Sequence, residues 1–76
     1  MITPVQSKMA RAALDWTLGL TTHHSGVSQN TISRFERGGV SNQSTISALK
    51  FAYENAGIIF LDEENEGPGI RIKKNG

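Results

Sequence analysis

Seventy-six residues with no cysteine and two histidines exclude a disulfide scaffold and leave too few ligands for a structural zinc, so a compact helical core or a partner subunit must supply the stability of one small, marginal domain. The formal net charge of +1 hides an uneven spread: four of the seven acidic residues are Asp62, Glu63, Glu64 and Glu66, which leaves five basic against three acidic residues up to Leu61, a bias that permits nucleic-acid binding without demanding it. No stretch is apolar for long enough to span a bilayer and the N-terminal order is not that of a secretory leader, so the expectation is a cytoplasmic protein with no membrane partner.

The first element announces itself at Thr3-Pro4, an N-cap followed by proline at the first helical position. From there Val5, Met9, Ala12, Ala13 and Trp16 recur at helical spacing, with Lys8 and Arg11 between them. The pattern predicts an amphipathic helix of about three turns with those apolar residues inward. Thr17 caps a second, short helix, LGLTTHHS, built from weak helix formers. Gly26 supplies a turn that calls for positive φ. Ser28 caps a third helix that runs to about Arg37 and stops at Gly38-Gly39. A fourth helix, capped by Ser41 or Asn42, buries Ile46, Leu49, Ala52, Tyr53 and Ala56, and Gly57 ends it. Beyond Gly57 the period changes. The run IIFL, a polar turn through DEENEGPG and the alternation IRIKK predict an antiparallel hairpin, with Ile70 and Ile72 on one face and Arg71 and Lys73 on the other.

The third helix carries the chemistry. In GVSQNTISRFERG, Ile32 and Phe35 face the core with Val27. Gln29, Asn30, Ser33, Arg34 and Arg37 then point outward. Glutamine and asparagine suit bidentate recognition of adenine, and arginine suits guanine or phosphate. The helix N-terminus adds free N–H groups and the positive end of the dipole, which favour phosphate. A solvated polar face is the plainer account of the same residues. The layout of a short helix, a turn at SGV and a second capped helix favours groove reading.

Segment 26–38 resembles the recognition half of the lambda-repressor-like helix-turn-helix in the Cro and XRE family of transcriptional regulators. The match is Gly-Val-Ser, two variable residues, Thr-Ile, two variable residues, an apolar residue, Glu, one residue and Gly. It extends upstream to ARAALDWT and downstream to STISALKFAYENAGIIFLDEENEGPGIRI, nearly the whole chain. The resemblance implies a mainly α fold of four to five helices around one core, here over residues 1–57. The hairpin of 58–76 would belong to the same domain as a candidate dimer element. It implies sequence-specific binding of double-stranded DNA, usually as a homodimer on an inverted-repeat operator, and a repressor or autoregulator. It puts Gln29 and Asn30 where bases are read and Arg34 at a further base- or phosphate-facing position. Ser28 and Thr31 fall near the DNA backbone, while Thr17, Arg37, Asn42 and Gln43 would meet phosphates. It also matches Arg11 and Glu36 to an ion pair joining the first and third helices, which is structural rather than functional.

The second helix departs from that pattern. Leu18 stands where the family usually has glutamine, and Thr21 and Thr22 stand where it has Leu-Ala. Thr22 takes the place of the small residue that lets two helices approach closely. Its methyl group can pack and its hydroxyl can bond back to the preceding turn.

Other chemistry has less support. Adjacent helical residues point about 100° apart, so His23 and His24 do not easily share a metal ion, and nothing completes a ligand set. The acidic run lacks the spacing of a calcium loop. There is no activated Ser-His-Asp order, phosphate loop or paired carboxylate, so neither an enzyme nor a cofactor is expected. Trp16, Tyr53 and Phe60 read as core. Phe51 lies off the buried stripe, which points to a subunit contact. The rival functional reading is a protein-interaction module, antiactivator or antitoxin-like, on the same fold without DNA readout. The weak second helix and the acidic run motivate it.

Overall fold

The computed structural model describes residues 1–39, 41–61 and 67–73; the polar run expected at 62–66 and the last basic residue of IRIKK lie outside them. The described residues form four helices and one hairpin: α1 (Pro4–Leu14), α2 (Leu18–Ser25), α3 (Gln29–Glu36), α4 (Gln43–Asn55), β1 (Ile58–Leu61) and β2 (Gly69–Ile72). Each helix begins where a side-chain oxygen accepts a backbone N–H three residues on. The caps are Thr3, Thr17, Ser28 and Asn42. At α1 the cap is reciprocal. Thr3 Oγ1 accepts from Gln6 N–H at 3.2 Å and Gln6 Oε1 accepts from Thr3 N–H at 2.9 Å, which satisfies two otherwise orphaned donors.

The inward face of α1 is not the one its apolar spacing predicts. Val5, Ala12 and Ala13 are exposed, and Gln6, Ser7 and Ala10 are buried. Gln6, Ser7, Ala10 and the partly buried Leu14 lie within about 100° of arc, roughly a third of a turn from the expected stripe. Partners explain the difference. Gln6 Nε2 donates to the carbonyls of Leu61 at 3.1 Å and Gly69 at 3.0 Å, and Ser7 Oγ bonds Glu36 and Tyr53. A buried polar group with its hydrogen bonds made avoids most of the desolvation cost. Two small alanines and a half-exposed valine forgo little by facing water.

The core gathers Ile2, Ala10, Val27, Ile32, Phe35, Ile46, Leu49, Tyr53 and Ile58, with Leu14, Trp16, Leu18, Ala48, Phe60 and Ile70 packed against it. On α4 the expected stripe is buried at Ile46, Leu49, Ala52 and Tyr53, whereas Ala56 is exposed beyond the last turn. Thr21, not Thr22, is the fully buried residue of α2. Its Oγ1 donates to the Thr17 carbonyl at 2.9 Å, so back-bonding to the previous turn occurs one place earlier than expected. The Thr22 Oγ1 is shielded and has no partner among the described residues.

The hairpin is antiparallel, with Ile58 opposite Ile72, Ile59 opposite Arg71, Phe60 opposite Ile70 and Leu61 opposite Gly69. Directly opposed residues share a face, so Ile58, Phe60, Ile70 and Ile72 form one side. Ile58 is buried, Phe60 and Ile70 are half-buried, and Ile72 is exposed. The hairpin packs on α1 and α4, while α3 packs on α1 and α2. α1 is therefore the element that touches both. Among the described residues no helix is long and apolar enough to cross a membrane.

Candidate nucleic-acid interface

α3 is presented by a short connection with its own bonds. Gly26 has φ 77° and its N–H reaches the Thr22 carbonyl at 2.8 Å; Val27 N–H donates to Ser25 Oγ at 3.1 Å. Val27 is buried, and Ser28 then starts the helix, accepting from Thr31 N–H at 3.2 Å. Ile32, Phe35 and Glu36 turn inward. Gln29, Asn30, Arg34 and Arg37 are exposed, and Thr31 and Ser33 are half-buried. All five residues expected to face outward from this helix keep contact with solvent.

The inward side of α3 is fixed by charge as well as by packing. Arg11 Nη2 donates to Glu36 Oε1 at 2.6 Å and Arg11 Nε to Glu36 Oε2 at 2.9 Å, a two-pronged ion pair between α1 and α3. Ser7 Oγ also donates to Glu36 Oε2, at 2.6 Å. That bond uses the one Ser7 hydroxyl hydrogen, so in the 2.8 Å contact between Ser7 Oγ and Tyr53 Oη the tyrosine donates. Ser7 thus links the Glu36 carboxylate of α3 to Tyr53 of α4, so three helices meet in one hydrogen-bonded cluster. Burial pushes the Glu36 carboxyl up, but hydrogen bonds from Arg11 and Ser7 and the nearby positive charge outweigh it and hold the group below the ordinary carboxylate range. Desolvation pushes the Tyr53 phenol up to about 12. Ser7 and Tyr53 had no part in the expected pair. The one sequence signal for Ser7 is its place four residues before Arg11, on the same side of α1.

Several flanking groups keep a donor in reserve. Thr17 Oγ1 accepts from Leu20 N–H at 3.1 Å, which leaves its O–H to give. The Ser28 hydroxyl donates to Thr31 Oγ1 at 2.8 Å, which leaves the Thr31 hydroxyl hydrogen. Asn42 Oδ1 receives Thr45 N–H at 2.9 Å and Ser44 Oγ at 2.8 Å, so its amide nitrogen has no partner among the described residues. Gln43, beside it, is exposed. Arg37 Nη1 donates to Ser33 Oγ at 2.6 Å, a bond that steers the guanidinium along the helix.

Thr17 and Gln29 come together. A Cβ placed on Gly19 would lie 3.5 Å from Gln29 Nε2 and 3.7 Å from Thr17 Oγ1, so the start of α2 and the start of α3 share one spot. Asn42 and Gln43 stand apart, at the start of α4, and make no hydrogen bond to α3 among the described residues. None of the four helices has an acidic residue in its first turn, so no side chain neutralises the positive dipole ends of α2, α3 and α4. The one ion pair among the described residues is Arg11–Glu36; Arg34 and Arg37 pair with no described carboxylate.

Arg34 is also held from behind. Gly39 N–H donates to the Arg34 carbonyl at 2.8 Å. A Cβ on Gly39 would fall 2.6 Å from Arg34 Cγ and 2.8 Å from its carbonyl oxygen, a space no side chain can enter. His23 and His24 are exposed near the end of α2. The His24 ring stacks flat on Trp16, 4.3 Å between centroids and 1° between planes. Among the described residues no three His, Cys, Asp or Glu side chains stand close enough to share a metal ion. No protein-family model matches the chain, and no curated protein matches it.

Proposed function

We propose that this chain is a sequence-specific double-stranded DNA-binding regulator, a repressor or autoregulator of the helix-turn-helix kind, that lays α3 in the major groove. It is a binding protein and not an enzyme. The observation that carries the reading is the two-sidedness of α3. Ile32, Phe35 and Glu36 are locked into the core while Asn30 and Arg34 stand exposed on the other side and Gln29 is exposed at the helix's first position. Amide and guanidinium tips on an exposed helix suit the donor and acceptor pattern of base edges. Thr17, Thr31, Ser33 and Arg37 flank them with donors suited to phosphate oxygens, Ser28 orients the Thr31 hydroxyl, and Asn42 and Gln43 offer amide donors from a separate spot at the start of α4. As a homodimer on an inverted repeat, the protein would set two such helices about 34–36 Å apart.

The test begins with selection from random duplexes, followed by anisotropy titration of the enriched site. Gln29→Ala and Arg34→Ala should each cost about 1–3 kcal/mol and relax preference at one base position. Arg37→Ala should weaken binding evenly across sequences and reduce the salt slope by about one unit. Unchanged affinity and specificity in both Gln29→Ala and Arg34→Ala would remove the readout. No enrichment of any duplex, beside tight capture of a protein, would favour the interaction-module reading.

A further inference from the structure

A different face of the molecule, on α4, carries an arrangement that α3 and its flanks do not use. Ser47, Lys50, Phe51 and Glu54 fall within about 100° of arc on the side of α4 away from its buried stripe. Phe51 is 66% exposed, the most exposed aromatic side chain among the described residues. Lys50 and Glu54 form one wall of an open groove of about 310 Å³, lined elsewhere by Met1, Ile2, Thr3, Gln6, Phe60 and Leu61. Met1 is largely exposed and Leu61 partly so. Lys50 and Glu54 are one turn apart, a spacing that allows a pair along the helix. They make no ion pair with each other or with any other described residue.

We infer that this face of α4 is the contact between two copies of the chain, packed antiparallel about a two-fold axis near position 52. The inference rests on the homodimer half of the reading above and adds the surface that makes it. The argument is self-complementarity. A two-fold contact presents the same patch from both sides. Reversing α4 about position 52 brings Lys50 opposite the second copy's Glu54 and Glu54 opposite the second copy's Lys50, so one turn of helix yields two opposite-charge pairs. The same operation leaves the two Phe51 side chains offset by two residues, about 3 Å along the helix direction, so they flank the charge pairs as an aromatic contact at one edge of the patch. The two grooves then face each other, and Met1 and Leu61 add apolar rim. The hairpin edge is the weaker candidate for this contact. β2 presents Arg71 with Lys73 just beyond it, and pairing β2 with its own copy would set like charges side by side.

Charge exchange tests the proposal on the full chain, by sedimentation equilibrium and native mass spectrometry without DNA. Lys50→Glu and Glu54→Lys should each weaken self-association by about tenfold or more, since each turns two attractions into two repulsions. An equimolar mixture of the two single variants should recover the dimer, predominantly as the mixed species. The Lys50→Glu/Glu54→Lys double variant should dimerise as the wild type does. A wild-type chain that stays monomeric, single variants that associate as tightly as wild type, or a mixture with no preference for the mixed dimer would each overturn it. So would a dimer broken by Ile59→Lys but indifferent to positions 50 and 54. Base readout is scored separately: monomeric variants that still select a half-site through Gln29 and Arg34 keep the DNA reading alone, and intact dimers that select no duplex keep the interface alone.

Discussion

Asp15 is the only non-glycine residue with positive φ among the described residues, at 57°. It closes α1, and its N–H reaches back to the carbonyls of Ala12 and Arg11. A β-carbon in the left-handed region costs roughly 1–2 kcal/mol, less for aspartate than for most residues, and glycine takes the same place without that penalty. Asp15→Gly should therefore raise stability by about 0.5–1 kcal/mol, read as a higher urea midpoint with an unchanged slope. A midpoint that falls would mean that the aspartate side chain does more than tolerate the turn. At this scale the sequence is legible wherever the interaction is local. Thr3, Thr17 and Ser28 were readable as caps, and the fourth was narrowed to Ser41 or Asn42, of which the structure has Asn42, because each cap bonds a backbone group three positions away. Asp15 was not, since nothing in Leu14-Asp15-Trp16 marks a left-handed residue. Gly39 was readable as a helix stop, but the contact with Arg34 that forbids a side chain there was not.

Gln6 ties two elements together. It completes the cap of α1 with Oε1 and holds the end of the hairpin with Nε2, at Leu61 and Gly69. A two-stranded hairpin is marginal alone, so these two bonds are a large part of what keeps its loop end against α1. Gln6→Leu keeps comparable bulk and leaves two carbonyls and one N–H without that partner. It should cost about 2 kcal/mol and speed amide exchange in 58–61 and 69–72, with little change in α3. Uniform acceleration across the chain, or none, would refute the clamp. The same residue explains why the face of α1 was misread. Apolar spacing finds the buried side of a helix when burial is driven by hydrocarbon. Here the buried side holds Gln6 and Ser7, whose partners are 29 to 63 positions away. Thr21 follows the same logic on α2. On α3 and α4 the inward residues are mostly apolar, and spacing found them.

Over the whole molecule, Arg11, Ser7, Glu36 and Tyr53 form one buried junction of α1, α3 and α4, and that junction sets the response to pH. The Glu36 carboxyl is held below its ordinary value. The stability this contributes is fully present above the unfolded value of about 4.3 and disappears as pH falls through the lower folded value. The Tyr53 phenol is raised from 10.0 to about 12. Its share is present below 10.0 and disappears as pH rises through the folded value, because ionisation would leave a phenolate in a desolvated site and, secondarily, near the Glu36 carboxylate. Melting temperature should form a plateau with an acid arm that Glu36→Gln flattens and an alkaline arm that Tyr53→Phe flattens. Each variant also starts lower on the plateau, by about 3 kcal/mol for Glu36→Gln, which strands a partly buried guanidinium. A wild-type curve without arms would refute the junction's role. The pairing of Arg11 with Glu36 was legible through family likeness, whereas Ser7 and Tyr53 depend on three helices meeting and have no local signature. The junction carries a consequence for how such a chain can diversify. The side chains that seat α3 in the core are Ile32, Phe35 and Glu36, and the side-chain tips at positions 29, 30 and 34 take no part in that contact. The mount and the tool are separable: new side chains can be fitted on the outer rim while the bracket beneath stays as it is.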